Sequence, residues 1–271
     1  MKKTQIKILG SGTSTGIPVL GCSCDVCHSL DSRDQRLRSS ILIETPRGKR
    51  ILVDTSPDLR AQLLSTKTTS IDAVILTHEH ADHLHGIDDL RPLGFKRDGN
   101  IALYGHHRLK ELLRVRFPYI FTPVDNPIGG GIPKIEYHSI FEFNQTIEIE
   151  GERFTFFELP HGRTLSMGFM LQSCDQTFAY LIDCHEIPIG VINHLKEVQL
   201  DFLIIDCVTK APHLTHLSQD VAFDYISQIG PKRAGLIHMG HHLGHAQLLK
   251  TCQSEFTFEV APLFDGEVIT L

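Results

Sequence analysis

The chain has 271 residues, 26 basic and 32 acidic groups for a formal net charge of −6, and 41% hydrophobic against 21% charged residues. That composition excludes a disordered chain and a disulfide-stapled miniature fold, and the length permits one α/β domain over 1–271. The acidic balance argues against a nucleic-acid partner held by a generally basic surface.

The start, Met1-Lys2-Lys3-Thr4-Gln5, lacks the apolar core of a signal peptide, and no later run reaches membrane-spanning length. A cytoplasmic protein with no membrane partner is expected. The seven cysteines are odd in number, so thiolate metal ligands are a better reading than disulfides.

In chain order, runs rich in Ile, Val and Leu predict strands over 5–9, 40–44, 50–53 and 73–76. Helical spacing follows at 57–64, near 86–93 and at 108–117. The segment 122–133, with Gly129-Gly130-Gly131 and three prolines, reads as a surface excursion and a candidate lid over a cleft. Strands are then predicted near 146–149, 153–159, 168–171, 178–182, 202–205 and 234–237, and helices at 189–196, 219–228 and 246–252. Two strand-rich halves, each with helices, imply a layered α/β fold.

Five of the apolar runs end in a metal-ligand residue type: Asp54, His78, Asp183, Asp206 and His238. One such residue is ordinarily a cap or a satisfied core group. Five at the same relative place point instead to strand ends holding a site, because rigid elements position ligands well. The densest cluster is His78-Glu79-His80-Ala81-Asp82-His83, where four ligand-type side chains leave one tight turn after a strand. A divalent ion needs several such groups to converge, and this turn can serve two ions with two ligands each.

Here the residues resemble the metallo-β-lactamase superfamily, whose His-x-His-x-Asp-His motif is intact at 78–83. Residue by residue, His161 matches the family's next histidine, Asp183 its bridging aspartate and His238 its last histidine. The resemblance implies a four-layer αβ/βα sandwich of two similar halves. It further implies His78, His80 and His161 on one metal, Asp82, His83 and His238 on the other, and Asp183 between them. Two such cations, Mn2+ or Zn2+, bring the pKa of water from roughly 15.7 toward 7. Asp54 is expected behind the site, accepting a hydrogen bond from a ligand histidine or a metal water, with capping of the 57–64 helix as its alternative.

Cys22-Ser23-Cys24-Asp25-Val26-Cys27 offers three corners of a tetrahedral thiolate site, a closed, structural Zn2+ in need of a fourth ligand. A C-x-C knuckle also occurs in redox switches. Together with Gly10-Ser11-Gly12-Thr13-Ser14-Thr15-Gly16-Ile17-Pro18, the knuckle narrows the resemblance to the phosphoribosyl cyclic phosphodiesterases of phosphonate utilisation. In that group the fourth ligand stands three residues beyond the last active-site histidine, which is His241 here. His28, His242 and His245 are the alternatives.

The leaving group of a phosphodiester calls for a general acid, and the stretch after Asp206-Cys207 supplies His213 and His216. His216, just before the helix start Ser218-Gln219-Asp220, matches the family's catalytic histidine best. Asp82 and His216 are therefore the expected catalytic residues. The chain departs from the phosphonate-pathway enzymes around 208–213, where Lys210 and His213 are its own. His106, His107, His138, His185 and His194 have no spacing partner and read as structural or surface groups.

The expected function is a metal-dependent phosphodiesterase acting on a small molecule, such as a cyclic sugar or nucleotide phosphate. Dimers are common among such relatives, and a homodimer is kept as an expectation. A tRNA 3′-processing endonuclease is the first alternative, although the basic arm it would use is missing from 122–133, whose one charge is Asp125. A thioesterase or lactonase is the next, and a non-catalytic metal-binding or redox-sensing protein is the alternative of another class.

Overall fold

The computed structural model describes residues 2–95, 98–122 and 131–271. In the first half, β1 (Gln5–Gly10), β2 (Ser40–Glu44), β3 (Arg50–Val53), β4 (Ala73–Leu76), β5 (Ile101–His106) and β6 (Ile135–Ile140) follow one another. Helices α1 (Leu59–Ser65), α2 (Ala81–Leu84), α3 (Arg91–Gly94), α4 (Leu109–Arg116) and α5 (Pro118–Phe121) lie between them. The second half contains β7 (Thr146–Ile149), β8 (Glu152–His161), β9 (Thr164–Ser173), β10 (Gln176–Leu181), β11 (Phe202–Asp206), β12 (Arg233–Ile237), β13 (Glu259–Pro262) and β14 (Val268–Thr270). Its helices are α6 (Ile189–Val198), α7 (Gln219–Ile229) and α8 (His245–Glu255).

Two seven-stranded sheets result, in the orders β14-β1-β2-β3-β4-β5-β6 and β13-β12-β11-β10-β9-β8-β7. Each has an antiparallel part that passes into a parallel part: β3 to β6 in one sheet and β10 to β13 in the other. The last strand crosses back, with Gln5 opposite Thr270 and Ile6 opposite Ile269.

Period-two alternation in the strands accounts for the layers. In β2 and β3, Ile41, Ile43, Ile51 and Val53 face the second sheet, where they meet Phe154, Phe156, Phe169, Phe178 and Tyr180. Their neighbours Leu42 and Leu52 face the other way, toward Leu59 and Leu63 of α1 and Leu109 and Leu113 of α4. In the second sheet Leu181, Leu203 and Ile205 face Leu195 of α6, Ile226 of α7 and Leu248 of α8. Helices, sheet, sheet and helices are thus four layers of an αβ/βα sandwich, as the resemblance implied.

The strands near 153–159 and 168–171 prove longer than predicted, together forming the 152–173 hairpin, and β5, β6, β13 and β14 are additions. Of the expected lid at 122–133, residues 123–130 lie outside the described residues. Among the described residues, no helix is long and apolar enough to cross a membrane.

Candidate metal centre

The five strand ends singled out above meet at one edge of the sandwich. Asp54 and His238 directly follow a strand and Asp183 follows β10 after Ile182; they take φ values of 64°, 61° and 50°, which turns their side chains off the strand line. His78 follows β4 by one residue, and the chain then enters α2, which carries Asp82 and His83. Backbone bonds from Thr55 N–H to His83 O and from Gly86 N–H to Thr55 O strap this turn to the exit of β3.

Three overlapping groups of side chains converge: His78, His80 and His161; His78, His83 and Asp183; and Asp82, His83 and His238. His83 Nε2 lies 3.1 Å from Asp82 Oδ2 and 2.9 Å from Asp183 Oδ2, while His238 Nδ1 is 2.8 Å from Asp183 Oδ2. His161 Nε2 is 3.1 Å from His80 Nδ1 and 3.7 Å from Asp183 Oδ1. Donors bound at roughly 2.0–2.2 Å around a tetrahedral ion stand about 3.3–3.6 Å apart, close to this spacing. His78 Nε2, His83 Nε2, Asp183 Oδ2 and both His238 nitrogens are buried without a hydrogen-bond partner. Orphaned polar atoms aimed at one another are what a cation would satisfy, so the donor set fits divalent metals.

The electrostatics agree. Burial opposes charge on His83, yet Asp183, Asp82 and Asp54 together outweigh it and hold its pKa well above the usual imidazole range. Burial likewise works against charge on Asp183, but His238 and His83 bring that carboxyl well below its ordinary value. Burial keeps His78 and His161 neutral, the form in which imidazole binds a metal. A field that holds a proton on His83 this firmly favours a cation in the proton's place.

Outer partners fix which nitrogen each ligand presents. Asp54 Oδ2 takes the Nδ1 side of His83 at 2.7 Å, and the same carboxylate accepts from Thr77 N–H and Thr77 Oγ1, both at 2.8 Å. Asp54 therefore stands behind the site and not on α1, whose N-cap is Asp58. His161 Nδ1 donates to the Thr215 carbonyl at 2.8 Å, leaving Nε2 for the centre.

His216 lines the same cavity of about 520 Å³ as His80, Asp82, His161, Asp183 and His238. Its Nδ1 is 3.2 Å from Asp206 Oδ2 and 3.5 Å from Asp183 Oδ1. Burial resists its protonation, but Asp206 more than compensates and raises its pKa. His213 is exposed and folds back on the Thr215 N–H, so His216 is the histidine in position. Asp206 was legible as a strand end but had no role assigned to it; its signal was the fifth member of the strand-end series.

In the knuckle, His241 Nδ1 faces Cys22 Sγ at 3.2 Å, Cys24 Sγ at 3.6 Å and Cys27 Sγ at 3.7 Å. All four donors lie within 4.8 Å of one another. His28, His242 and His245 are absent from the group. Among the unpartnered histidines, His106 pairs with Glu158 at 2.9 Å, and His185 Nδ1 accepts from Gly162 N–H.

Residues 49–239 match the β-lactamase superfamily domain. The chain belongs to this superfamily. Over 100% of its length it superposes, with a TM-score of 0.87 and 32% identity, on 98% of a solved diphosphatase of the PhnP family. The Zn2+-bound PqqB of Methylobacterium extorquens follows at a TM-score of 0.80 and 17% identity, over 98% of this chain and 100% of that one, a likeness of fold. In sequence, a relative from Porphyromonas gingivalis named octanoyltransferase is 38% identical over 235 residues, 87% of this chain and 46% of that protein. The chain thus spans about half the length of that curated relative.

Proposed function

We propose that this superfamily member is a metal-dependent phosphodiesterase for a small-molecule substrate, with residues 1–271 acting as one catalytic unit. The observation that carries the reading is His216, held by Asp206 and raised in pKa, in the same cavity as five of the seven converging metal-ligand side chains, His80, Asp82, His161, Asp183 and His238. The diphosphatase at 32% identity over the whole chain supports phosphoester chemistry. His78, His80 and His161 would hold one divalent ion, Asp82, His83 and His238 the other, and Asp183 both. Mn2+ and Zn2+ both suit this donor set, and Zn2+ suits the thiolate knuckle. Bound there, the pair supplies Lewis acidity and a water of near-neutral pKa.

The protein's own groups do the rest. Asp54 and the Thr215 carbonyl hold the His83 and His161 rings so that each presents Nε2. Asp206 holds His216 through Nδ1, which leaves its Nε2 to carry a proton to the departing oxygen. A carboxylate on the far nitrogen both orients the ring and favours its charged form.

Purified protein should contain three metal ions per chain and hydrolyse bis(p-nitrophenyl) phosphate, and His80→Ala should abolish turnover with the circular dichroism unchanged. Full activity in that variant would contradict the assignment. The name of the Porphyromonas gingivalis relative favours including acyl esters and thioesters in the same assay. Preference for those would replace the phosphodiester reading with a thioesterase or lactonase.

A further inference from the structure

Three of the ligand histidines are steadied from outside the cluster: His78 Nδ1 meets Thr77 Oγ1 at 3.0 Å, His83 Nδ1 meets Asp54 Oδ2 at 2.7 Å, and His161 Nδ1 meets the Thr215 carbonyl at 2.8 Å. His80 is different. It is exposed at the cavity wall, and among the described residues its ring has no hydrogen-bonding partner beyond His161, whose Nε2 lies 3.1 Å from His80 Nδ1. The orientation of His80 therefore depends on the backbone that carries it, and first on the peptide joining Glu79 to His80.

Glu79 is held by two elements remote from it in sequence. Arg116, in the last turn of α4, donates to the Glu79 carbonyl, and Thr164, the first residue of β9, donates through Oγ1 to Glu79 Oε1 at 2.5 Å. Among the described residues Arg116 has no carboxylate partner, although its helix neighbour Arg114 pairs with Glu111 at 2.9 Å. Helices α4 and α5 are themselves docked on the segment after the His-rich turn: the Phe117 and His85 ring centroids are 5.9 Å apart, and Tyr119 Oη donates to Asp88. Thr164 pairs across the β8–β9 turn with His161, and the Met167 N–H reaches the Thr77 carbonyl at 2.9 Å. One exposed hydrogen bond is ordinarily worth little to stability. Two on the residue between His78 and His80 act instead on ligand geometry, and the second ties Glu79 to the hairpin bearing His161, which shares a donor group with His80.

We propose that Arg116 and Thr164 are positioning residues: they hold Glu79 so that His80 is aimed at the ion it shares with His78 and His161, and they set the affinity of that ion but not of the one held by Asp82, His83 and His238. Fixing a ligand before the metal arrives lowers the ordering cost of binding, and loss of an outer partner typically costs about 10–100-fold in metal affinity. His83, fixed by Asp54 in a buried setting, does not depend on Glu79 in this way, so the two ions have separate supports. The inference rests on the reading of the donor set as a two-ion centre, and not on the reaction that the centre performs.

The test uses the full chain with Zn2+ in the knuckle, cleared of active-site metal by dialysis against a chelator and titrated in a calorimeter with Mn2+ and with Zn2+. Wild-type protein should take up a pair of ions, and His80→Ala identifies the binding step that belongs to the ion of His80. That step should weaken by about tenfold or more in Thr164→Val and in Arg116→Met, with the other step unchanged, while Thr164→Ser, which keeps the hydroxyl, should retain wild-type affinity. Unchanged affinity in either variant, an equal weakening of both steps, or a Thr164→Ser protein as weak as Thr164→Val would overturn the assignment. Wild-type protein that takes up no pair of ions, Mn2+ or Zn2+, would overturn the two-ion centre itself and the positioning roles with it.

Discussion

Asp54, Asp183 and His238 occupy left-handed backbone that costs a non-glycine residue roughly 1–3 kcal/mol. Asp and His are among the side chains that tolerate it best, and in each case the turn aims a ligand-type group into the cluster. His216 and His213 show how much a few residues matter within one loop. Bridging of Thr209 to Ser218 closes the loop, and the Leu217 N–H reaches the Asp206 carboxylate, which puts His216 at the loop's base and His213 outside. His216→Ala should slow substrates with poor alkoxide leaving groups by about 10²–10⁴-fold, and nitrophenyl esters far less. Equal losses on the two, measured as kcat, would remove its acid role. At this scale the motif at 78–83 and the knuckle cysteines were legible, since their spacing is local; Asp206 was legible as a strand end but its role was not, since that depends on His216 standing beside it in the cavity.

Among the elements, ten strands were anticipated because each combines β-branched or aromatic residues with apolar alternation. Three of the four others, β6, β13 and β14, are sheet edges. Such strands bury one side or less and carry a weaker pattern: β6 is mostly half-exposed, β13 ends in Pro262, and β14 has three residues. The long β8–β9 hairpin is held from below by Phe169, whose ring meets Phe154, Phe156, Phe178 and Tyr180. Phe169→Ala should cost about 3–5 kcal/mol in urea denaturation, the range for emptying a buried aromatic site. A loss below about 1 kcal/mol would mean that the layer between the sheets refills readily.

Over the whole molecule, the head of the chain is fastened to its tail. The knuckle joins residues 22–27 to His241, three residues past His238. Buried Arg36 donates to Asp34 and to the Leu243 and Gly240 carbonyls, and Asp265 accepts from Ser11 and Leu37. These ties set the strand end that bears His238 against the loop that brings Ser14 to the cavity. Cys24→Ser should remove one metal ion per chain by elemental analysis, leave the active-site pair in place and lower stability on the order of 3 kcal/mol. Unchanged metal content would show that no ion is held by the knuckle. Residue types and short-range spacing already specified the strand alternation, the His-rich turn, the thiolate triplet and, through resemblance, the layered architecture, because such patterns act over a few residues. Only the folded chain could settle that His161, Asp183, His216 and His238 face that turn, which of two histidines stands inside, and that Arg116 and Thr164 both reach Glu79. Those are consequences of two sheets packing across a shared core, which brings together side chains far apart along the chain.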